Sequence, residues 1–104
     1  GQQTYRTEIG ERRAISLADG STVELNTNSQ VRVRLSKAQR SLILDKGQAM
    51  FVVAHDAGRP FVVTAGDTAV RAIGTRFEVY RADGLIGQQV GSMKVLPGRL
   101  ELGF

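Results

Sequence analysis

Apolar and polar residues alternate along several short stretches of this chain. Residues 31–35 read Val-Arg-Val-Arg-Leu, so their apolar side chains share one face while Arg32 and Arg34 share the other. Residues 70–79 show a similar alternation, interrupted by a Gly-Thr pair. A period of two is typical of a β-strand with one buried face. No run of ten residues has helical periodicity, and residues 36–40 offer room only for a short helix, so the chain is predicted to be all-β.

Turn residues separate these strand-like runs. Asp19 and Gly20 stand between two short apolar runs, which is a sequence signal for a β-hairpin. Residues 41–44 and 49–54 are continuously apolar on either side of Gly47. Continuous apolar runs are typical of strands that are covered on both faces, and we predict such strands here.

Four glycines suggest how the strands are arranged. Gly20, Gly47, Gly74 and Gly98 each border a run of strand-forming residues, at steps of 27, 27 and 24 residues. A nearly constant step is a feature of solenoid proteins. Glycines are frequent in this chain, however, and an ordinary sandwich accounts for the strands equally well. The predicted fold is therefore either a β-solenoid-like roll or a two-layer β-sandwich of short antiparallel strands.

The composition narrows the classes of function. A length of 104 residues is typical of one domain, and residues 1–104 are predicted to form one. The chain has no cysteine and a single histidine, so we predict no disulfide, metal site or cofactor. The net charge of +4 is compatible with a nucleic-acid surface or with a solubilising excess of arginine. The basic residues are scattered and not interleaved with aromatic residues, so nucleic acid is not predicted as a partner.

Two positions carry candidate chemistry near the middle of the chain. His55 is followed by Asp56, and a carboxylate beside an imidazole can orient it for base catalysis. A polar strand end is the preferred interpretation of His55, so we predict no catalytic residue and no enzyme. Arg59 precedes Pro60, and its guanidinium is suited to tie the loop to Asp56 or to anchor a protein partner. The structural role of Arg59 is preferred.

The same region carries a family resemblance. Five phrases in order, between about residues 5 and 80, resemble the FecR family. They are Gly10-Glu11-Arg12-Arg13, Leu17-Ala18-Asp19-Gly20-Ser21, Leu25-Asn26-Thr27-Asn28-Ser29, the run from Lys46-Gly47-Gln48 to His55-Asp56, and Arg59-Pro60-Phe61 with Ala72-Ile73-Gly74-Thr75-Arg76-Phe77. The signature positions, which we interpret as structural, are Gly20, Gly47, Arg59, Pro60, Phe61, Gly74, Thr75 and Phe77. Residues 95–102 resemble a later phrase of the family, whereas residues 84–92 depart from it.

This resemblance implies a regulator of iron-uptake transcription in Gram-negative bacteria. It implies a periplasmic β-rich domain of a single-pass inner-membrane protein, which receives a signal from the N-terminal signalling domain of a TonB-dependent outer-membrane receptor. Contact with an extracytoplasmic-function sigma factor, and with the membrane, would be made through segments that precede residue 1. The start without methionine suggests such a longer protein. The alternative is a structural or carbohydrate-associated β-domain of the cell envelope.

Binding to the receptor is predicted at the strand around residues 30–35. If this strand lies at the edge of a sheet, a partner strand can add to it through main-chain hydrogen bonds. Arg32 and Arg34 would then contact the partner, and they are the predicted partner-binding residues. The alternative for these two arginines is edge protection or plain solvation.

Overall fold

The computed structural model describes residues 1–72, 74, 76–82, 85–90, 93–95 and 99–102, with side chains described up to residue 80. The strands are β1 (Gln2–Arg6), β2 (Arg13–Ser16), β3 (Thr22–Leu25), β4 (Gln30–Leu35), β5 (Arg40–Val52), β6 (Phe61–Ala65), β7 (Thr68–Ala72), β8 (Arg76–Ala82), β9 (Leu85–Val90), β10 (Met93–Val95) and β11 (Arg99–Leu102). These ranges contain no helix, which confirms the all-β prediction. Residues 36–40, where the sequence left room for a short helix, form no helix, because a turn closed by Ser36 and Gln39 leads directly into β5.

Strand β5 organises the sheet because it is shared by two halves. Its residues 40–46 pair with β4, antiparallel, and residues 40–43 also pair with β6, parallel. Its residues 47–52 pair with β8, and residues 49–52 also pair with β3, both antiparallel. We call β1-β4-β5-β6-β7-β11 the first half of the sheet and β2-β3-β5-β8-β9-β10 the second half. Within the first half, β11 runs parallel to β7.

The two halves curl toward each other because β5 changes its buried face near Gly47. Before this glycine the even-numbered residues from Arg40 to Leu44 are buried, and after it Ala49 and Phe51 are buried. Gly47 has a φ of 83°, in the left-handed region that favours glycine. Buried and half-buried residues alternate along both parts of β5, so its residues 41–44 and 49–52 are fully covered on one face only, and not on both as predicted.

The core lies between the two halves. The ring of Phe51, from the second half, meets the ring of Phe61, from the first half, edge to face at 6.0 Å between centroids. Phe77 stacks on Phe51 at 5.3 Å. All three side chains are almost fully buried, as are the inward-facing aliphatic residues of β3, β4, β6 and β7. The curled sheet therefore encloses one continuous apolar layer.

The evenly spaced glycines occupy different environments. Gly20 has a φ of 91° and lies in the turn that joins β2 to β3, which confirms the predicted hairpin. Gly47 lies inside a strand, and Gly74 lies between β7 and β8. Gly98 is outside the described residues. The equal spacing of the first three glycines does not correspond to a repeated structural unit.

Candidate functional site

The predicted partner-binding strand is not at an edge. β4 pairs with β1 on one side and with β5 on the other. Its main-chain groups are therefore already bonded in both directions, and the prediction that residues 30–35 form an exposed edge is wrong. The sequence misled because the alternation of apolar and basic residues shows which face is buried, but it does not show how many neighbours the strand has.

The two arginines of β4 differ in their surroundings. Arg32 forms a two-point ion pair with Asp45 of β5, with Nη2 at 2.7 Å from Oδ1 and Nε at 2.9 Å from Oδ2. Hydrogen bonding to this carboxylate raises the pKa of Arg32 above its ordinary value. Arg34 is exposed on the same outer face, beside Gln2 of β1 and Ser41 of β5. Arg34 is thus the more accessible of the two predicted binding residues.

A buried arginine connects three parts of the chain. Arg40, the first residue of β5, is 0% exposed and pairs with the equally buried Asp19 at 2.9 Å. Its guanidinium also donates to the carbonyl oxygens of Ala54 at 2.7 Å and Arg59 at 2.9 Å. The guanidinium carbon lies 5.2 Å from the ring centre of Phe61. Arg40 therefore joins the β2–β3 turn to the loop that follows β5.

The carboxyl of Asp19 is held in its charged form. Burial alone raises the pKa of Asp19, but hydrogen bonds from Arg40 and Ser21 outweigh burial and lower the pKa below its ordinary value. Ser21 contributes both its main-chain N–H, at 3.0 Å, and its hydroxyl, at 2.7 Å. The Asp-Gly turn thus also positions the counter-charge of a buried guanidinium.

The loop between β5 and β6 is held by a second ion pair. Arg59 Nε lies 2.9 Å from Asp56 Oδ2, which is the pairing considered from the sequence, and this hydrogen bond lowers the pKa of Asp56. Arg59 also donates to the carbonyl oxygen of Ser36 at 3.3 Å. Pro60 directly precedes β6, and its carbonyl oxygen accepts from the main-chain N–H of Arg40 at 2.9 Å. These contacts of Arg59 are all within the chain. Its alternative role as an anchor for a protein partner stays a prediction.

His55 contributes a backbone contact to this loop. Its side chain is exposed and makes no hydrogen bond within the described part of the chain. A Cβ atom placed on Gly74 would lie 2.8 Å from Cα of His55 and 3.3 Å from its nitrogen, so only glycine fits at position 74. The signature residue Thr75 lies outside the described residues.

A hydrogen-bonded knot fixes the loop between β1 and β2, residues 7–12. Buried Thr7 and Ser29 exchange main-chain and side-chain bonds, with Thr7 N at 2.9 Å from Ser29 O and Ser29 N at 2.9 Å from Thr7 Oγ1. The Ser29 hydroxyl accepts from Gln48 N at 2.9 Å. A Cβ atom on Gly47 would lie only 2.0 Å from Ser29 Oγ. The glycine at the bend of β5 therefore provides the space that this knot occupies.

The same loop presents an apolar side chain to solvent. Ile9 is 85% exposed, the one large hydrophobic residue so exposed among those whose side chains are described. The backbone around it is held by hydrogen bonds from Gly10 N to Thr27 Oγ1 at 2.6 Å and from Glu8 N to Glu11 Oε1 at 2.9 Å. Ile9 is thus carried on an ordered loop.

A groove lies on the outer face of the second half of the sheet. Its volume is about 410 Å³, and it is lined by Arg12, Arg13, Ala14, Glu24, Leu25, Asn26, Gln48, Ala49, Met50 and Glu78. Glu24 on β3, Met50 on β5 and Glu78 on β8 are direct cross-strand neighbours. Their sequence neighbours are buried, so these three side chains point outward. Glu78 accepts a hydrogen bond from Gln48.

Sequence reasoning missed Arg40, the Thr7–Ser29 knot and the groove. One signal for Arg40 was present, because it is in phase with the apolar Leu42 and Leu44, and a period of two places all three on one face. The knot and the groove join residues from distant strands, so no local pattern identifies them.

Within the described residues, no group of three or more histidine, cysteine or acidic side chains is placed to bind a metal ion. The same part of the chain has no helix with the length and hydropathy required to cross a bilayer.

Comparison with known proteins defines the class. The family model described as FecR protein matches residues 3–99, so the chain belongs to the FecR family. Two crystal structures of a candidate anti-sigma factor from Parabacteroides distasonis match the fold with TM-scores of 0.73 and 0.72, each at 26% sequence identity. These matches cover 92% and 91% of this chain, but 52% and 51% of those proteins.

The chain therefore spans about half the length of the structures it resembles. A comparison with curated proteins finds no match.

Proposed function

We propose that this chain is the periplasmic signal-receiving domain of a single-pass inner-membrane anti-sigma regulator that controls iron-uptake transcription. The observation that carries the proposal is the FecR match over residues 3–99, together with the anti-sigma factor fold. The incoming signal is a contact with the N-terminal signalling domain of a TonB-dependent receptor. The sigma factor and the membrane are reached through segments other than residues 1–104.

The proposed mechanism is binding rather than catalysis. The cross-strand Arg32–Asp45 pair orders side chains on the outer face, and the buried Arg40–Asp19 pair ties a turn to a loop, which suits recognition without a large loss of conformational entropy. A partner can shift the regulator between states only if it binds one of them more tightly than the other. We propose that the change on signalling occurs where this domain meets the rest of the protein.

The receptor contact is proposed on the outer face of the first half, around Arg32 and Arg34. Because β4 is an interior strand, the contact is made by side chains rather than by strand addition. Arg34 is exposed and its neighbour Arg32 is partly exposed, so an acidic patch of the receptor domain fits this face. Arg34→Glu should weaken receptor-domain binding more than Lys37→Glu, a charge reversal in the nearby turn. Equal affinities of the two variants for the receptor domain in calorimetry would refute a receptor contact on this surface.

The function itself is tested in the native bacterium. Deleting the region that encodes residues 1–104 from the chromosomal gene should abolish the change in transcription of neighbouring iron-uptake genes when the iron carrier is supplied. A reporter gene fused to the sigma-dependent promoter measures this change in transcription. As the control, a complete copy of the gene, including the region, is placed at a second locus. If induction remains normal without the region, the proposed role is refuted.

A further inference from the structure

The groove on the second half carries two glutamates that form no ion pair with any residue whose side chain is described. Glu24 is exposed and has no ion-pair partner among the residues whose side chains are described, and Glu78 has only Gln48 as a polar neighbour there. Both carboxylates belong to a chain whose net charge is +4. The lining residues Arg12 and Arg13 carry the opposite charge, and the guanidinium of Arg13 lies over the ring of Tyr5, 5.7 Å from its centre.

Glu24 and Glu78 alone do not make a calcium site, because calcium takes about six to eight oxygen ligands. Glu24 and Glu78 are separated by Met50, and neighbouring strands lie about 4.8 Å apart, so their backbones are roughly 10 Å apart. A calcium ion requires oxygen ligands within about 2.6 Å, and it requires more than two of them. A side chain of several methylene groups with a cationic head fits this spacing better. Its stem can lie on the half-buried Met50 while its head reaches a carboxylate.

The surroundings of the groove favour an extended protein segment. The floor is formed by the pleated surface of β3, β5 and β8, which is long enough to accept several residues of a chain. The loop that leads into Arg12 carries Ile9, 85% exposed and held in place by the bonds of Gly10 and Glu8. An ordered aliphatic side chain on the loop that leads into the groove provides apolar contact at low entropic cost.

We infer that the groove binds an extended segment of a partner protein that bears a lysine or arginine. The aliphatic stem of this residue lies on Met50 and its charged head lies between Glu24 and Glu78. A neighbouring apolar residue of the segment contacts Ile9, and an acidic residue would face Arg12 and Arg13. This site is on the opposite half of the sheet from Arg34, so it is separate from the receptor contact proposed above.

The test is a titration of the isotope-labelled 104-residue chain with the peptide acetyl-Ser-Lys-Val-Arg-Val-Ser-amide, followed by NMR. The expected result is a change in the amide shifts of Glu24, Met50 and Glu78. A control peptide with glutamates in place of lysine and arginine should bind at least tenfold more weakly. Glu24→Gln should weaken the basic peptide about threefold, the size expected for one exposed ion pair, and raised salt should weaken it further. Asp67→Asn, the same charge change in the β6–β7 turn, should leave affinity unchanged.

Four outcomes overturn the inference. Shifts that map to the face around Arg34 place the peptide elsewhere. Equal affinity for the basic and acidic peptides, or no binding of either, removes the role of the carboxylates. The same amides shifting with protein concentration alone, without peptide, would make a second copy of this chain the occupant. Since none of these readouts involves the receptor or transcription, the inference can fail while the proposed function stands.

Discussion

Gly47 offers the sharpest test of the fold, through its replacement by alanine. Gly47 and Gly10 both have left-handed backbones, with φ values of 83° and 87°. A Cβ atom on Gly10 would meet nothing within 4 Å, whereas on Gly47 it would lie 2.0 Å from Ser29 Oγ and 2.7 Å from Ser29 Cα. The two Gly→Ala variants therefore share the backbone strain, and only Gly47→Ala adds a steric conflict.

The expected magnitudes follow from these contacts. A left-handed backbone costs a residue with a side chain about 1–2 kcal/mol, offset in part by about 0.4–1 kcal/mol from the stiffer unfolded chain. Gly10→Ala should therefore lower the free energy of unfolding by about 1 kcal/mol. In Gly47→Ala, Ser29 has to move although it is fully buried. Three of its hydrogen bonds, to Thr7, Thr27 and Gln48, are then disturbed at about 1 kcal/mol each, for a total of about 4 kcal/mol.

Urea unfolding followed by far-ultraviolet circular dichroism measures the difference. With a urea dependence of about 1–3 kcal/mol per molar, a gap of about 3 kcal/mol separates the two midpoints by roughly 1–3 M. Near-identical midpoints for Gly47→Ala and Gly10→Ala would refute the reasoning. They would mean that Ser29 can leave its position without loss, and that the Thr7–Ser29 knot does not set the bend of β5.

Further predictions concern the buried polar and aromatic groups. Arg40→Met should lower the free energy of unfolding by about 3–5 kcal/mol, because it leaves the Asp19 carboxylate buried without its partner, and chemical unfolding measures the loss. Because the pKa of Asp19 is lower in the folded chain, its stabilising effect is present above the unfolded pKa near 3.9 and is lost as the pH falls through the folded value. Urea midpoints from pH 5 to pH 2 should therefore fall less steeply for Asp19→Asn than for the wild type. Phe51→Ala should cost about 3–5 kcal/mol, since this ring contacts both Phe61 and Phe77, and a loss below about 1 kcal/mol would argue against a single core.

The sequence was sufficient to predict strands, because each strand has its own period-two pattern and its own turn residues. The Asp19-Gly20 hairpin is a short-range feature, and its prediction is confirmed. The continuity of β5 was missed, because Lys46 and Gly47 look like a turn when only neighbouring residues are considered. The strand continues through Gly47 because β8 pairs with it on one side and Ser29 fills the space beside the glycine.

The candidate sites were harder to predict for a related reason. Whether β4 is an edge depends on β1, which pairs with it from almost thirty residues away along the chain. The groove depends on three strands being in register, so that Glu24, Met50 and Glu78 come into one row. Each of these residues is ordinary for an exposed strand position, and only their alignment forms a surface. The Arg59–Asp56 pair was accessible to sequence reasoning because its partners are three residues apart.

The shared strand β5 has a consequence for how the molecule comes apart. The thirteen residues of β5 form main-chain hydrogen bonds with β3, β4, β6 and β8. Neither half of the sheet therefore has all of its strand pairings without this shared strand. Unfolding one half would leave part of β5 without its neighbours, although the other half still needs β5 as a strand. Denaturation should therefore be all-or-none across both layers, with no long-lived half-open species from which aggregation could start.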